Sequence, residues 1–295
     1  MNTKRIALGI AAAAVLLSVP MAFAQESSTG LLPTNPFYFL KNWSRGVQNL
    51  LVRAPLRRAE LSLGVVNEKE GELRGVVRII PESDEAVSRA AANYENGVRE
   101  ALAKLRAVAV SGAAAEQFVL KTTELSTRHA AAFDESLLLV RRPVGARALR
   151  AARSAALELF GEAVLRGGPP EALFDRVKNA LAGVTGTLAS MRRAELADVF
   201  LEVVREKNHA LVKPFLVFRD SAIASFVGES EALSETAFLE RGARLLSEVT
   251  DAPRRLRMLD ASRELAEGTE QQQITLLRQE LARQALVIED HYGCP

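Results

Sequence analysis

The stretch PLRRAELSLGVVNEKEGELRGVVRIIP, Pro55 to Pro81, decides the fold. Within it Leu56, Ala59, Leu63, Val66, Glu70, Leu73, Val77 and Ile80 follow one another at alternating spacings of three and four. Side chains so spaced share one stripe of an α-helix, and a stripe sustained this long makes a coiled-coil-like seam. Only Glu70 departs from its apolar character. Pro81 cannot continue the helix, and Ser83 or Asp84 supplies an oxygen to cap the next one. A second seam runs Val87, Ala91, Tyr94, Val98, Leu102, Leu105 and Val108, ahead of Gly112. A third helix spans Ala113 to Val140, with Phe118, Thr122, Leu125, His129, Phe133, Leu137 and Val140 turned inward. Short connections make these neighbours antiparallel, which predicts an up-down-up bundle of three long helices.

The helical pattern extends outward on both sides. Asn35-Pro36 reads as an N-cap followed by proline at the first helical position, opening a helix that carries Phe37, Leu40, Trp43, Val47, Leu50 and Leu51 on one stripe. This helix is expected against an end or side of the bundle. Beyond Arg142-Pro143 the chain stays helical but less regular, and Gly167-Gly168-Pro169-Pro170 marks a boundary. Glu171 to Val212 reads as one long helix bent near Gly183 and Gly186. No segment sustains period-two alternation, so no sheet is expected. The fold class is all-α: an antiparallel bundle over residues 34–167, then a further helical bundle or array over 168–295.

The 295 residues are 48% hydrophobic and 25% charged, a globular balance that excludes wholesale disorder. One cysteine excludes a disulfide framework within the chain, and three scattered histidines make a multi-histidine metal centre improbable. The N-terminus reads as a secretory leader over residues 1–24. Lys4 and Arg5 precede the apolar run Ile6 to Val19, Pro20 breaks it, and Ala22-Phe23-Ala24 offers a cleavage site before Gln25. Residues 25–33 are small and polar, a tether. The expected location is therefore outside the cytoplasmic membrane, with no membrane span left after cleavage. Removing the leader takes two of the 38 basic residues and no acidic one, leaving 36 against 36. That balance gives no support to global attraction to nucleic acid.

Pro36-Phe37-Tyr38-Phe39-Leu40-Lys41-Asn42-Trp43 resembles the P-x-Y-x-L-K signature that opens a domain of unknown function in secreted, all-helical proteins of candidate-phyla bacteria. The continuation through Arg57–Leu61 and Asn67–Leu73 is similar to that family's helices, as is Thr127-Arg128-His129-Ala130. The resemblance covers residues 31–150 and implies a helical extracytoplasmic protein without implying an activity. Gly64 and Gly71 depart from it, since the family places helix formers there.

Three sets of residues could carry function. Glu70, Tyr94 and His129 each lie ten or eleven residues from the same end of the bundle. At 1.5 Å per residue that puts them at one level, about 15 Å down, all on inward seam positions. They form either a core layer that fixes helix register or a small-ligand or proton-sensing site. Arg141, Arg142, Arg147, Arg150 and Arg153 form a basic stretch with no acidic residue between Glu135 and Glu158. It is either a solvated face neutralised by neighbouring helices or a contact for an anionic envelope polymer, lipid headgroups or an acidic protein. Cys294 could join two chains through a disulfide, and with His291 it lies in a tail whose spacing matches no strong metal motif. Neighbouring carboxylates such as Asp134-Glu135 diverge on a helix and read as surface residues. Nucleotide-binding, zinc-protease and serine-hydrolase motifs are absent, so no metal or cofactor is expected. The reading is a non-catalytic, exported interaction or scaffold protein, able to form homo-oligomers. The alternative is a ligand, metal or pH sensor built on the His129 layer or the C-terminal tail.

Overall fold

A computed structural model describes residues 54–108, 112–186 and 188–231, with a few positions further on: 237, 271, 274, 275 and 279. The leader, the tether, the Trp43 helix and Cys294 lie outside the described residues. Among the described residues there are seven α-helices and no strand. They are α1 (Pro55–Ile79), α2 (Asp84–Ala107), α3 (Ala113–Leu137), α4 (Pro143–Arg166), α5 (Pro170–Ala182), α6 (Ala189–Lys207) and α7 (Val212–Glu231). A short 3-10 turn, His209–Leu211, joins the last two. No helix among the described residues is long and apolar enough to cross a membrane.

Helix boundaries follow the local chemistry. Pro55 and Pro143 occupy the first turns of α1 and α4, where a missing N–H costs nothing. The Ile80 N–H closes α1 on the Val76 carbonyl at 2.9 Å. Ser83 Oγ accepts from the Ala86 N–H and caps α2, with Asp84 and Glu85 in the first turn against the positive end of the helix dipole. The expected long helix after the Pro169-Pro170 break is in fact two. Gly186 has φ +105, a conformation that L side chains rarely adopt, and it lies within the connection between α5 and α6. What the sequence suggests as a bend is a break.

Helices α1 to α4 close a bundle in which α1 packs on α2 and α3, and α4 packs on α2 and α3. Consecutive α2 and α3 therefore stand at opposite corners. The reason is α4, which takes the place beside α2 that an up-down-up reading gives to α3. Helices α2 and α4 run parallel. At one end Asp84 Oδ1 accepts the Gly145 N–H at 2.8 Å, and at the other Arg166 donates to the Arg106 and Val108 carbonyls. The seam residues of α1 to α3 are in the core: Leu63, Val66, Leu73, Val77, Val87, Val98, Leu102, Phe118, Leu125 and Phe133 are all buried. Buried hydroxyls of Thr122, Thr123, Ser126 and Thr127 donate to carbonyls one turn back, so they cost little to enclose.

Helix α4 works on two sides. Leu149, Ala152 and Ala156 face the bundle core, while Phe160 meets Phe200 of α6 edge-on at 4.6 Å, with Phe215 of α7 beyond. At Gly161 a Cβ would stand 3.1 Å from Val203 of α6, so the small residue permits this close approach. One hydrophobic core runs from Ala59 to Phe215, across Gly167-Gly168, without interruption.

Gly64 and Gly71 stand apart from such constraints. A Cβ at either position meets nothing within 4 Å, and both lie inside α1. Alanine in their place should raise stability by about 0.5–1 kcal/mol each, by limiting the unfolded chain and favouring the helix. A urea denaturation series on Gly64→Ala, Gly71→Ala and the double variant checks this. Unchanged or lower midpoints would mean that these glycines are held for a contact.

Candidate functional site

The layer expected at Glu70, Tyr94 and His129 exists, with a different set of partners. Tyr94 and His129 reach across the bundle diagonal from α2 and α3, and both are buried. The Tyr94 hydroxyl lies 3.1 Å from His129 Nδ1, and His129 Nε2 lies 3.4 Å from Asn67 Oδ1 on α1. An amide oxygen only accepts, so Nε2 carries the proton and Nδ1 accepts from the tyrosine. Phe133 covers the pair, with its ring edge-on to Tyr94 at 4.8 Å. Glu70 bonds to neither. Its Oε1 faces Arg74 Nε at 3.5 Å, one turn along its own helix.

Asn67 is the residue that sequence reasoning missed. It is exposed and flanks the seam beside Val66, so no periodicity marks it. Its spacing of three from Glu70 was the only available signal.

Electrostatics follow from this enclosure. Burial, reinforced by the nearby Arg128 and Arg74, lowers the His129 imidazole to about 3. Burial raises the Glu70 carboxyl against the pull of Arg74 and Arg128. Burial, with Glu70 adding to it, holds the Tyr94 phenol well above its ordinary value. An imidazole titrating near 3 undergoes no charge change between pH 5 and 8. Its hydrogen bonds are made, and the layer works chemically as a register pin between α1, α2 and α3.

The arginine stretch divides. Arg141, Arg142, Arg147 and Arg150 are exposed and form no ion pair with any described carboxylate. Arg153 does not belong with them. It turns inward and lies 3.6 Å from Asp134, which Arg192 of α6 approaches from another side at 3.9 Å. Asp134, expected at the surface, is buried, while Glu135 is exposed as expected. Periodicity alone misleads here because a buried carboxylate and a surface one look alike until its counter-charges are placed.

Two grooves remain. One of about 360 Å³ is lined by Arg106, Glu158, Glu162, Glu202 and Lys207, among others. Its charges are largely tied up: Glu162 accepts from both Arg106 and Arg166 at 3.0 Å. The other, about 220 Å³, lies between Arg74, Arg128, Glu135 and Arg192. Among the described residues no three His, Cys, Asp or Glu side chains come together as a metal set. Compared with protein-family models, with curated proteins and with solved structures, the chain finds no match in any of the three.

Proposed function

We propose that the chain is an exported, non-catalytic helical interaction protein of the cell envelope or extracellular space. Its helical frame presents a basic surface to an anionic envelope polymer or an acidic envelope protein. The observation that carries this reading is the row Arg141, Arg142, Arg147 and Arg150: four exposed guanidinium groups without an ion pair to any carboxylate among the described residues. Unpaired arginines are suited to bidentate contact with phosphate or carboxylate. Three further points support it. The N-terminus has the order of a secretory leader. Residues 36–43 resemble a secreted helical family. The mature chain's balanced charge and the lack of aromatics among these arginines disfavour nucleic acid as the partner.

The test is retention of the purified chain on a soluble polyanion such as dextran sulfate. Replacing Arg141, Arg142, Arg147 and Arg150 by serine should weaken binding about ten-fold or more at low salt, and the difference should vanish in high salt. Equal retention of the parent chain and the variant would sink the proposal.

A further inference from the structure

The basic surface sits on one end of the bundle, and that end is also where aliphatic side chains are left in solvent. Helix α1 ends at Ile79, α2 begins at Asp84, α3 ends at Leu137 and α4 begins at Pro143. The Asp84–Gly145 hydrogen bond ties two of these termini together. Helices α1 and α3 run parallel, held in register by Asn67 and His129. From that pin α1 runs twelve more residues to Ile79, about 18 Å, and α3 eight more to Leu137, about 12 Å, so both helices finish toward the same end. Ile79, Leu139 and Val144 are 63%, 49% and 44% exposed. They make three of the five large aliphatic residues exposed among those described, and the other two are Leu165, at the opposite end of α4, and Val217 on α7. Arg78, Arg141, Arg142 and Arg147 lie within three residues of them in the chain, exposed and without an ion pair among the described residues. Carboxylates are present at this end too: Glu82 and Glu135 are exposed, Asp84 accepts the Gly145 N–H, and Glu85 is paired with Arg89. At the opposite end the charges neutralise one another through Arg106, Glu158, Glu162 and Arg166.

We infer that this end of the bundle docks on the surface of an anionic lipid bilayer, with Ile79, Leu139 and Val144 entering the headgroup boundary and the four arginines contacting lipid phosphates. The inference rests on the basic-surface reading above and gives that surface a lipid partner in place of a polymer or a protein. A soluble polyanion would use only the arginines. Aliphatic side chains set among them contribute only where an apolar phase lies behind the charges. Arginine suits such a boundary, since its stem lies along apolar surface while its head stays at the phosphate level.

The experiment is co-sedimentation of the full mature chain with vesicles of phosphatidylglycerol in phosphatidylcholine, and with phosphatidylcholine alone. Dextran sulfate binding is measured alongside. Two variants are compared: Ile79→Ser/Leu139→Ser/Val144→Ser, and Arg78→Gln/Arg141→Gln/Arg142→Gln/Arg147→Gln. All seven positions are exposed, and circular dichroism verifies that each variant stays folded. The expected result is binding to the phosphatidylglycerol vesicles only, weakened at least about ten-fold by either variant, with the serine variant binding dextran sulfate normally. Vesicle binding that the serine variant retains in full would overturn insertion. Dextran sulfate binding without vesicle binding would overturn the lipid inference and leave the interaction reading standing. Binding to neither probe would overturn both, and equal binding to neutral vesicles would overturn the role of the arginines.

Discussion

Acid should unfold this protein through His129, at a cost on the order of 4–5 kcal/mol between neutral pH and pH 3. The folded imidazole titrates near 3, against an ordinary value of 6.5. Between those values the unfolded chain holds a proton at this position that the folded chain refuses. Stability therefore falls as pH falls through this window, and the contribution is intact above about 6.5. Each unit of separation corresponds to about 1.4 kcal/mol, which sets the size of the effect. For a domain whose whole stability is about 5–15 kcal/mol, that is a large share. Glu70 acts in the opposite sense. Its raised folded value means that the folded chain takes up this proton first as pH falls, which stabilises it just above 4.5 and offsets part of the loss.

His129→Gln separates these contributions. Glutamine can accept from Tyr94 through its oxygen and donate toward Asn67 through its nitrogen, and it does not titrate. Urea unfolding at a series of pH values from 7 to 4 should show the parent losing stability more steeply than the variant. The excess slope should approach about 1.4 kcal/mol per pH unit in the middle of the window. All other carboxylates are common to both proteins and cancel in the comparison. Parallel profiles would mean that His129 takes its proton in the folded state, and the enclosed layer would have to be abandoned.

The three seams were legible because their side chains are large and their spacing is uninterrupted. From Val87 to Leu105 and from Phe118 to Val140 every inward position read from the sequence is buried. Helix α4 falls inside the expected bundle range of residues 34–167, but its packing face was not legible, although its inward spacing is just as regular: Gly145, Leu149, Ala152, Ala156, Leu159 and Ala163. The face is built mainly from glycine and alanine, and alanine also fills its outer positions, so no hydrophobic contrast marks the stripe. That unread face explains the error in neighbour order, since α4 displaces α3 from the side of α2. The polar layer was half legible. A common level follows from counting residues, which brought Tyr94 and His129 together. Which side chain completes the histidine depends on reach and rotation. Arg74 takes Glu70, and Asn67 reaches in from an exposed position.

Asp134→Ala should cost about 3 kcal/mol, and the reason bears on how the two halves of the chain hold together. Asp134 is buried on α3 with Arg153 of α4 at 3.6 Å and Arg192 of α6 at 3.9 Å. Neither distance is that of a hydrogen bond, and Arg153 Nε is buried without a hydrogen-bond partner. The carboxylate thus acts by charge, holding two guanidinium groups that are almost enclosed. Removing it leaves both cations close together with no counter-charge, and breaking a buried pair in this way costs about 3–5 kcal/mol. The residual solvent contact of the two arginines places the expectation at the low end. The same physics predicts a rescue. Replacing Arg153 and Arg192 by methionine in the Asp134→Ala background removes the stranded charges and keeps much of the packed volume. Most of the lost stability should then return. Chemical denaturation of the single, double-arginine and triple variants gives the coupling directly. Failure of the triple variant to recover would mean that Asp134 acts through packing alone. Recovery would show that an electrostatic clasp joins α6 to the bundle, beside the hydrophobic core that α4 shares with it.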